Sequence, residues 1–251
     1  MKMAVHAAMV DHMDQEIGRI LDQVRAMGAW SNTVIWFATD NGASAEIMVR
    51  GDGHDPSAPP GSAATFLCLG PGFSSAANTP FRRHKVWTHE GGIATPLIVH
   101  WPAGIPPAAR GTLCHAVSHF VDFVPTVLEL AGLTAPAEWN GLPVPPKPGR
   151  SLVDLLRNPE APQESRELWW CHEEHRALRQ GDWKLVAARG DPWELYNLAE
   201  DRGETRNLAE READRAAAMA ARWEEIANGI RALIERLPPP PPGPAAGRRR
   251  P

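Results

Sequence analysis

Residues 33–42, Thr-Val-Ile-Trp-Phe-Ala-Thr-Asp-Asn-Gly, constrain the fold more than any other stretch, because an apolar β-branched and aromatic run ends directly in an acid, an amide and a glycine. The run from Val34 to Ala38 suits a strand covered on both faces rather than one with a wet side. Ligands of open α/β sheets gather beyond the carboxyl ends of the strands. Asp40 offers a carboxylate there and Asn41 an amide carbonyl, the hard oxygen donors that Ca²⁺ or Mg²⁺ takes, while Gly42 lets the backbone turn sharply. A plain Asp-Asn-Gly turn closing a strand explains the same three residues without a metal.

The rest of the chain divides by its periodicity. Val5, Met9, Met13, Ile17, Ile20 and Val24 step by three or four, with Gly28 as a left-handed stop, so an amphipathic helix is expected to pack on the sheet. His6 and His12 lie six apart and off a common face, as solvated helix residues do. Residues 65–70 and 96–101 are expected as two further strands, and a helix begins near Asp122 with Pro125 in its first turn and Gly132 at its close. Pro136, Pro143, Pro145, Pro146 and Pro148 mark a connecting belt. Beyond it, residues 167–171, 176–179, 183–187 and 193–196 read as short antiparallel strands of a small sheet. Asn207 and Glu210 suggest a capping box for a last helix whose stripe, Met219, Trp223, Ile226, Ile230 and Leu233, is expected in the core. The expected domains are 1–133, a connector at 134–160, a small α+β unit at 161–237, and a disordered Pro/Arg tail at 238–251.

One long segment, residues 78–102, gives these parts a common identity. It contains Lys85, then four residues, then Glu90-Gly-Gly, and Pro96 leads the strand that follows. Together with Asp40, Asn41 and Gly42, residues 118–126, Gly149-Arg-Ser-Leu152, residues 176–186 and residues 193–198, this ordered set resembles the sulfatases of the alkaline-phosphatase-like superfamily. The likeness covers about residues 1–235 and implies an α/β fold: part of a large mixed sheet flanked by helices, plus a small carboxyl-terminal antiparallel sheet with a helix. It implies an arylsulfatase-type sulfuric ester hydrolase, with Asp40 and Asn41 as ligands of Ca²⁺, Mg²⁺ being less suited, and Lys85 as the catalytic ammonium on the sulfate. The substrate it implies is a small-molecule or glycan sulfate ester.

The resemblance also exposes a gap. Such sulfatases use a formylglycine made from a Cys/Ser-x-Pro-x-Arg motif in their earlier half. Cys68, Cys114 and Cys171 precede Leu-Gly-Pro, His-Ala-Val and His-Glu-Glu, and Ser57-Ala-Pro-Pro has Gly61 where Arg is needed. The chain is therefore expected to be the carboxyl-terminal part of a sulfatase, without its nucleophile and inactive alone, with an apolar sheet surface left uncovered. A phosphoryl or phosphonyl hydrolase of the same superfamily is the alternative enzyme; a non-catalytic binding module or a relic is the alternative outside catalysis. Full-length relatives are often exported, but nothing in these residues fixes localisation.

Composition narrows the partners. A net charge of −4 over 251 residues gives no electrostatic footprint for nucleic acid, the lone basic run Arg248 to Arg250 standing in the Pro-rich tail. No apolar run approaches the roughly 20 residues that span a bilayer. Three scattered cysteines provide neither a disulfide framework nor a CxxC metal spacing. Arg82, Arg83, His84 and His89 make the Lys85 segment locally basic, and loop side chains of this kind are expected to face water or, for His89, to pack. His119 and Asp122 suit helix capping, and Asp52, His54 and Asp55 suit a solvated rim.

Overall fold

The computed structural model describes residues 1–47, 53–144 and 148–236. Helix α1 (Lys2–Ala26) forms where the three-or-four periodicity runs, and Gly28 at φ 68° ends it, its amide donating to the Arg25 carbonyl at 2.9 Å. None of its residues is buried. Val5 lies beside Gly61 and Arg25 caps the Trp30 ring, and the apolar stripe is covered only in part: Val5, Ile17 and Val24 are half-buried, while Met9, Met13 and Ile20 are exposed. Strand β1 (Ile35–Ala38) follows and is half-buried throughout rather than covered on both faces.

Residues 65–69 do not form the expected strand. Extended backbone becomes a strand only beside a neighbour that takes its hydrogen bonds, and here Thr65 and Phe66 donate locally, to the Ser62 carbonyl and to His54 Nδ1. The apolar run instead leads into α2 (Gly70–Asn78), with Pro71 in its first turn. The short α3 (Glu90–Ile93) precedes β2 (Leu97–His100), which pairs antiparallel with β1 in the register Ile35 to His100 and Ala38 to Leu97. Helix α4 (Phe123–Leu130) closes with Gly132 at φ 67°, and its Phe123 ring packs on Trp36 of β1 at 4.7 Å.

The Pro-rich belt holds a two-residue hairpin, β3 (Glu138–Trp139) with β4 (Leu142–Pro143), and then α5 (Val153–Arg157); Pro145 and Pro146 lie outside the described residues. The start of α5 is anchored to α4, since the Leu152 amide donates to Thr126 Oγ1 at 2.9 Å and Leu152 and Val153 are buried. At the same junction Asp122, fully buried, caps the turn at His119 and takes both guanidinium arms of Arg166 at 2.5 and 2.6 Å.

The small sheet is an antiparallel meander of β5 (Glu167–His172), β6 (His175–Gln180), β7 (Trp183–Ala187) and β8 (Glu194–Asn197). Strand alternation gives it two different faces. Leu178, Leu185 and Leu195 point to α6 (Ala213–Arg236) and form the main core with Met219, Trp223 and Ala227. Ala177, Val186, Tyr196 and Leu198 form a second, smaller core on the other face. The last helix differs from its sequence reading at both ends. Asn207 does not cap it: its Oδ1 accepts from the Leu195 and Ala209 amides, tying the preceding loop to β8. Only the first two turns of the stripe are buried, since Ile230 and Leu233 are 37% and 57% exposed. The expected tail at 238–251 lies outside the described residues.

Candidate active site

Asp40 and Asn41 stand just past the carboxyl end of β1, Asp40 exposed and Asn41 half-buried. What fixes them is a stitch between this strand end and the Glu-Gly-Gly turn. The Gly42 amide donates to the Gly92 carbonyl at 3.0 Å, and the Lys85 amide donates to the Ala43 carbonyl at 3.0 Å. Asn78 bridges them, accepting from the Ala43 amide at 2.9 Å and donating to the Arg83 carbonyl at 3.1 Å. The approach is so close that a Cβ on Gly42 falls into the carbonyl of Gly91, and one on Gly91 or Gly92 into the carbonyls of Arg83 or Trp87. Glycine is required there for want of space.

Asp40, Asn41 and Lys85 consequently line one cleft of about 1160 Å³. Its walls continue through Glu90 and Arg202 to Arg179, Asp182 and Trp170 of the small sheet. The Lys85 ammonium is 3.8 Å from the exposed carboxylate of Glu46 and 45% exposed, leaving it accessible from the cleft. Neither the Asp40 carboxylate nor the Asn41 amide hydrogen-bonds to another described side chain, so their oxygens are available to a hard cation. They account for two of the six to eight oxygens calcium takes. No cluster of three His, Cys, Asp or Glu side chains that fits a metal ion occurs among the described residues. His54 and Asp55 are occupied locally, as acceptors from Phe66 and Ser57, and Asp52 lies outside the described residues.

Behind the turn is a buried charge cluster. Lys184 of β7 is fully buried, its Nζ 2.8 Å from Glu90 Oε1 and 2.8 Å from Glu204 Oε1. The second Glu204 oxygen accepts from the Glu90 amide at 2.9 Å, and Arg202 reaches the second Glu90 oxygen at 3.4 Å. Burial drives both carboxyls toward the neutral form, with opposite outcomes. For Glu90 it is outweighed by Lys184, helped by Arg179 and Arg202, and the carboxyl is held below the ordinary range. Glu204 has Lys184 as its one cation, with the Glu90 amide, and the Glu90 carboxylate as a like neighbour, so burial wins and raises it.

A second link runs beside it. Arg82 makes a two-armed pair with Glu194 at 3.1 and 3.2 Å and donates to the Tyr196 hydroxyl at 2.7 Å; the fully enclosed His89 meets Glu194 through Nε2 at 3.1 Å. Burial depresses the His89 imidazole to about 4 despite Glu194, leaving it neutral near pH 7. Arg82 thus turns inward, contrary to a water-facing loop residue, because Glu194 and Tyr196 stand opposite it on β8. Lys184, Glu194 and Glu204 are absent from the sequence-stated site, yet the alternation of β7 carries a signal: Lys184 falls on the same face as the inward Val186.

Residues 2–133 match the family model described as Sulfatase, and residues 82–229 match N-sulphoglucosamine sulphohydrolase, C-terminal. An uncharacterized sulfatase of Schizosaccharomyces pombe is 30% identical over 223 residues, 82% of this chain and 40% of that protein. The crystal structure of Ps i-CgsB with k-i-k-neocarrahexaose superposes with a TM-score of 0.61 at 24% identity, covering 87% of this chain and 42% of that one. The structure of BT4656 with its substrate D-glucosamine-2-N,6-O-disulfate gives 0.57 at 23% identity, covering 87% and 39%. The chain spans about two fifths of the length of these proteins. With more than half of its residues inside the family model and the fold shared with solved sulfatases, the chain belongs to the sulfatase family, of alkaline-phosphatase-like fold.

Proposed function

We propose that this chain forms the cation- and sulfate-holding part of an arylsulfatase-type sulfuric ester hydrolase acting on a small-molecule or glycan sulfate ester. What supports this assignment is the opening of Asp40, Asn41 and Lys85 into one cleft, held by the Gly42 to Gly92 and Lys85 to Ala43 hydrogen bonds. Cleaving a sulfate monoester moves negative charge onto the leaving oxygen and the sulfuryl oxygens. The Lys85 ammonium neutralises that charge as it builds, an effect worth about 10²–10³ in rate for a single well-placed donor. Asp40 and Asn41 hold Ca²⁺ through their free oxygens, and when bound the ion polarises the sulfate group. Glu90, locked by Lys184 behind the turn, keeps Lys85 in register with Asp40.

Nucleophilic attack belongs to a formylglycine from a Cys/Ser-x-Pro-x-Arg motif outside these residues, since no cysteine or serine here has that context. We assign residues 1–133 to the catalytic α/β domain, 134–160 to a connector and 161–237 to a small subdomain. Two measurements test the proposal. The purified 251-residue chain is expected to leave 4-nitrophenyl sulfate at the uncatalysed rate, and clear turnover refutes the absence of a nucleophile. Reading the genomic sequence upstream of codon 1 is expected to reveal the motif in frame; its absence favours a binding module or relic.

A further inference from the structure

We propose that Arg179 and Arg202 form a second anion-binding subsite in the same cleft, for a sulfate or carboxylate borne by an acidic saccharide at a position other than the ester held by Lys85. The inference rests on the Lys85 assignment and extends it to the class of substrate. Arg179 sits on β6 directly opposite Lys184 of β7, so two cations share one face of the sheet. Like charges in register repel, and Glu90 and Glu204 offset them only in part. Lys184 takes up the facing oxygen of each, and Glu204 is the carboxyl that burial pushes toward its neutral form. Three cations, Arg179, Lys184 and Arg202, therefore share Glu90, Glu204 and Asp182, and of these acids Glu204 is pushed toward its neutral form.

The arginine donors left over are placed to be used. Arg179 spends one nitrogen on structure, Nε donating to the Gly181 carbonyl at 2.8 Å, and its two terminal nitrogens make no hydrogen bond or ion pair to a described residue. Desolvation outweighs what Glu90 and Asp182 return to this partly buried guanidinium, and no hydrogen bond to a described residue occupies its two terminal donors. The same donors present a fork suited to a carboxylate or sulfate. Arg202 is half-exposed and packs over the Phe81 ring at 4.8 Å, with a long 3.4 Å contact to Glu90 that leaves donors free toward the cleft. Both line the cleft that contains Lys85. Glu90 and Asp182 line it too and are the nearby carboxylates opposing an anion at Arg179, Glu90 being already engaged by Lys184. Trp170 stands on the same sheet face one strand over and borders the cleft, an aromatic surface against which a sugar ring can lie.

The test is calorimetric titration of the full chain, with calcium present, against three probes. D-glucosamine 6-sulfate carries one anionic group, D-glucosamine-2-N,6-O-disulfate a second sulfate, and 2-O-sulfated glucuronic acid a sulfate with a carboxylate. The two-anion probes are expected to bind at least tenfold more tightly than the monosulfate, and the better of the two names the preferred second group. Arg202→Gln, at the more exposed position, and Arg179→Gln are each expected to shrink that advantage to within about twofold while leaving monosulfate affinity unchanged. Lys85→Met is expected to weaken all three alike. A wild-type chain without the tenfold preference, or variants that keep it, overturns the subsite. A Lys85→Met chain that binds all three normally overturns the Lys85 assignment instead and leaves the arginine pair standing. Thermal melting separates the purely structural alternative, in which Arg179→Gln lowers the melting temperature and leaves the affinity ratio intact.

Discussion

Replacing Lys184 with Met tests whether the small sheet holds the Glu-Gly-Gly turn by charge. Met is close to Lys in length and fills the same channel, so the substitution removes an ammonium without opening a cavity. Two carboxylates, 3% and 1% exposed as residues, then lose a partner at 2.8 Å on each side. Breaking a buried ion pair from one side costs about 3–5 kcal/mol, because the orphaned charge remains out of water. That is a large share of the roughly 5–15 kcal/mol that keeps a domain folded. In urea, with a slope of about 3 kcal/mol per molar, the midpoint followed by tryptophan fluorescence falls by about 1–2 M. The loss should shrink as pH is lowered through the carboxyl range, where both acids can become neutral, and adding Glu90→Gln and Glu204→Gln should recover most of it. A midpoint within 0.3 M of wild type (on the order of 1 kcal/mol), or a triple variant no better than the single one, refutes the clamp.

Two further perturbations probe neighbouring parts of the turn. His89 has a folded value of about 4 against an ordinary 6.5, so between those limits the unfolded chain binds a proton that the folded one refuses. The His89 contribution is complete above about pH 6.5 and is lost as pH falls toward 4, by about 3 kcal/mol at 1.36 kcal/mol per unit; His89→Gln should flatten the slope between pH 6.5 and 5 in urea titrations, leaving the shares of His119 and His175, which burial also pushes down, and an unchanged slope counts against a neutral buried imidazole. Gly42→Ala forces a methyl into the Gly91 carbonyl, at a cost of about 1–3 kcal/mol, and hydrogen exchange at the neighbouring Lys85 amide, which donates to the Ala43 carbonyl, should quicken at least tenfold; an unaltered rate means the stitch is not what holds the strand end.

Much of the fold is legible in the chain itself, and the exceptions share a cause. The four strands of the small sheet are bounded by their own turns, Glu173-Glu174, Gly181 and Gly190, so local chemistry is enough to place them within a residue or two. Gly28 and Gly132 stop helices for equally local reasons. Residues 65–69 have strand composition but no strand, because pairing depends on a neighbour that composition does not specify. Asn207 has the composition of a cap and serves β8, since Leu195 offers an amide at 3.0 Å before the helix begins. The apolar stripe of α1 likewise records an amphipathic helix without saying what covers it.

The candidate site divides along the same line. Asp40, Asn41 and Lys85 can be singled out from short motifs because each motif is contiguous, and their common cleft follows from one close backbone approach that only glycine allows. The groups behind them come from residues 94 to 114 positions away: Lys184 on Glu90, Glu194 on Arg82 and His89, Glu204 on the Glu90 amide. Periodicity marks Lys184 as inward but does not name its partner, and Glu204 looks like one acid among several in a loop. The physical consequence is an order of dependence. The turn that aims Lys85 carries a buried acid, that acid stays charged chiefly through Lys184 of the small sheet, and the sheet is closed from the other side by Trp223 and Met219. Core packing around α6 therefore bears on an ammonium that none of its residues touches.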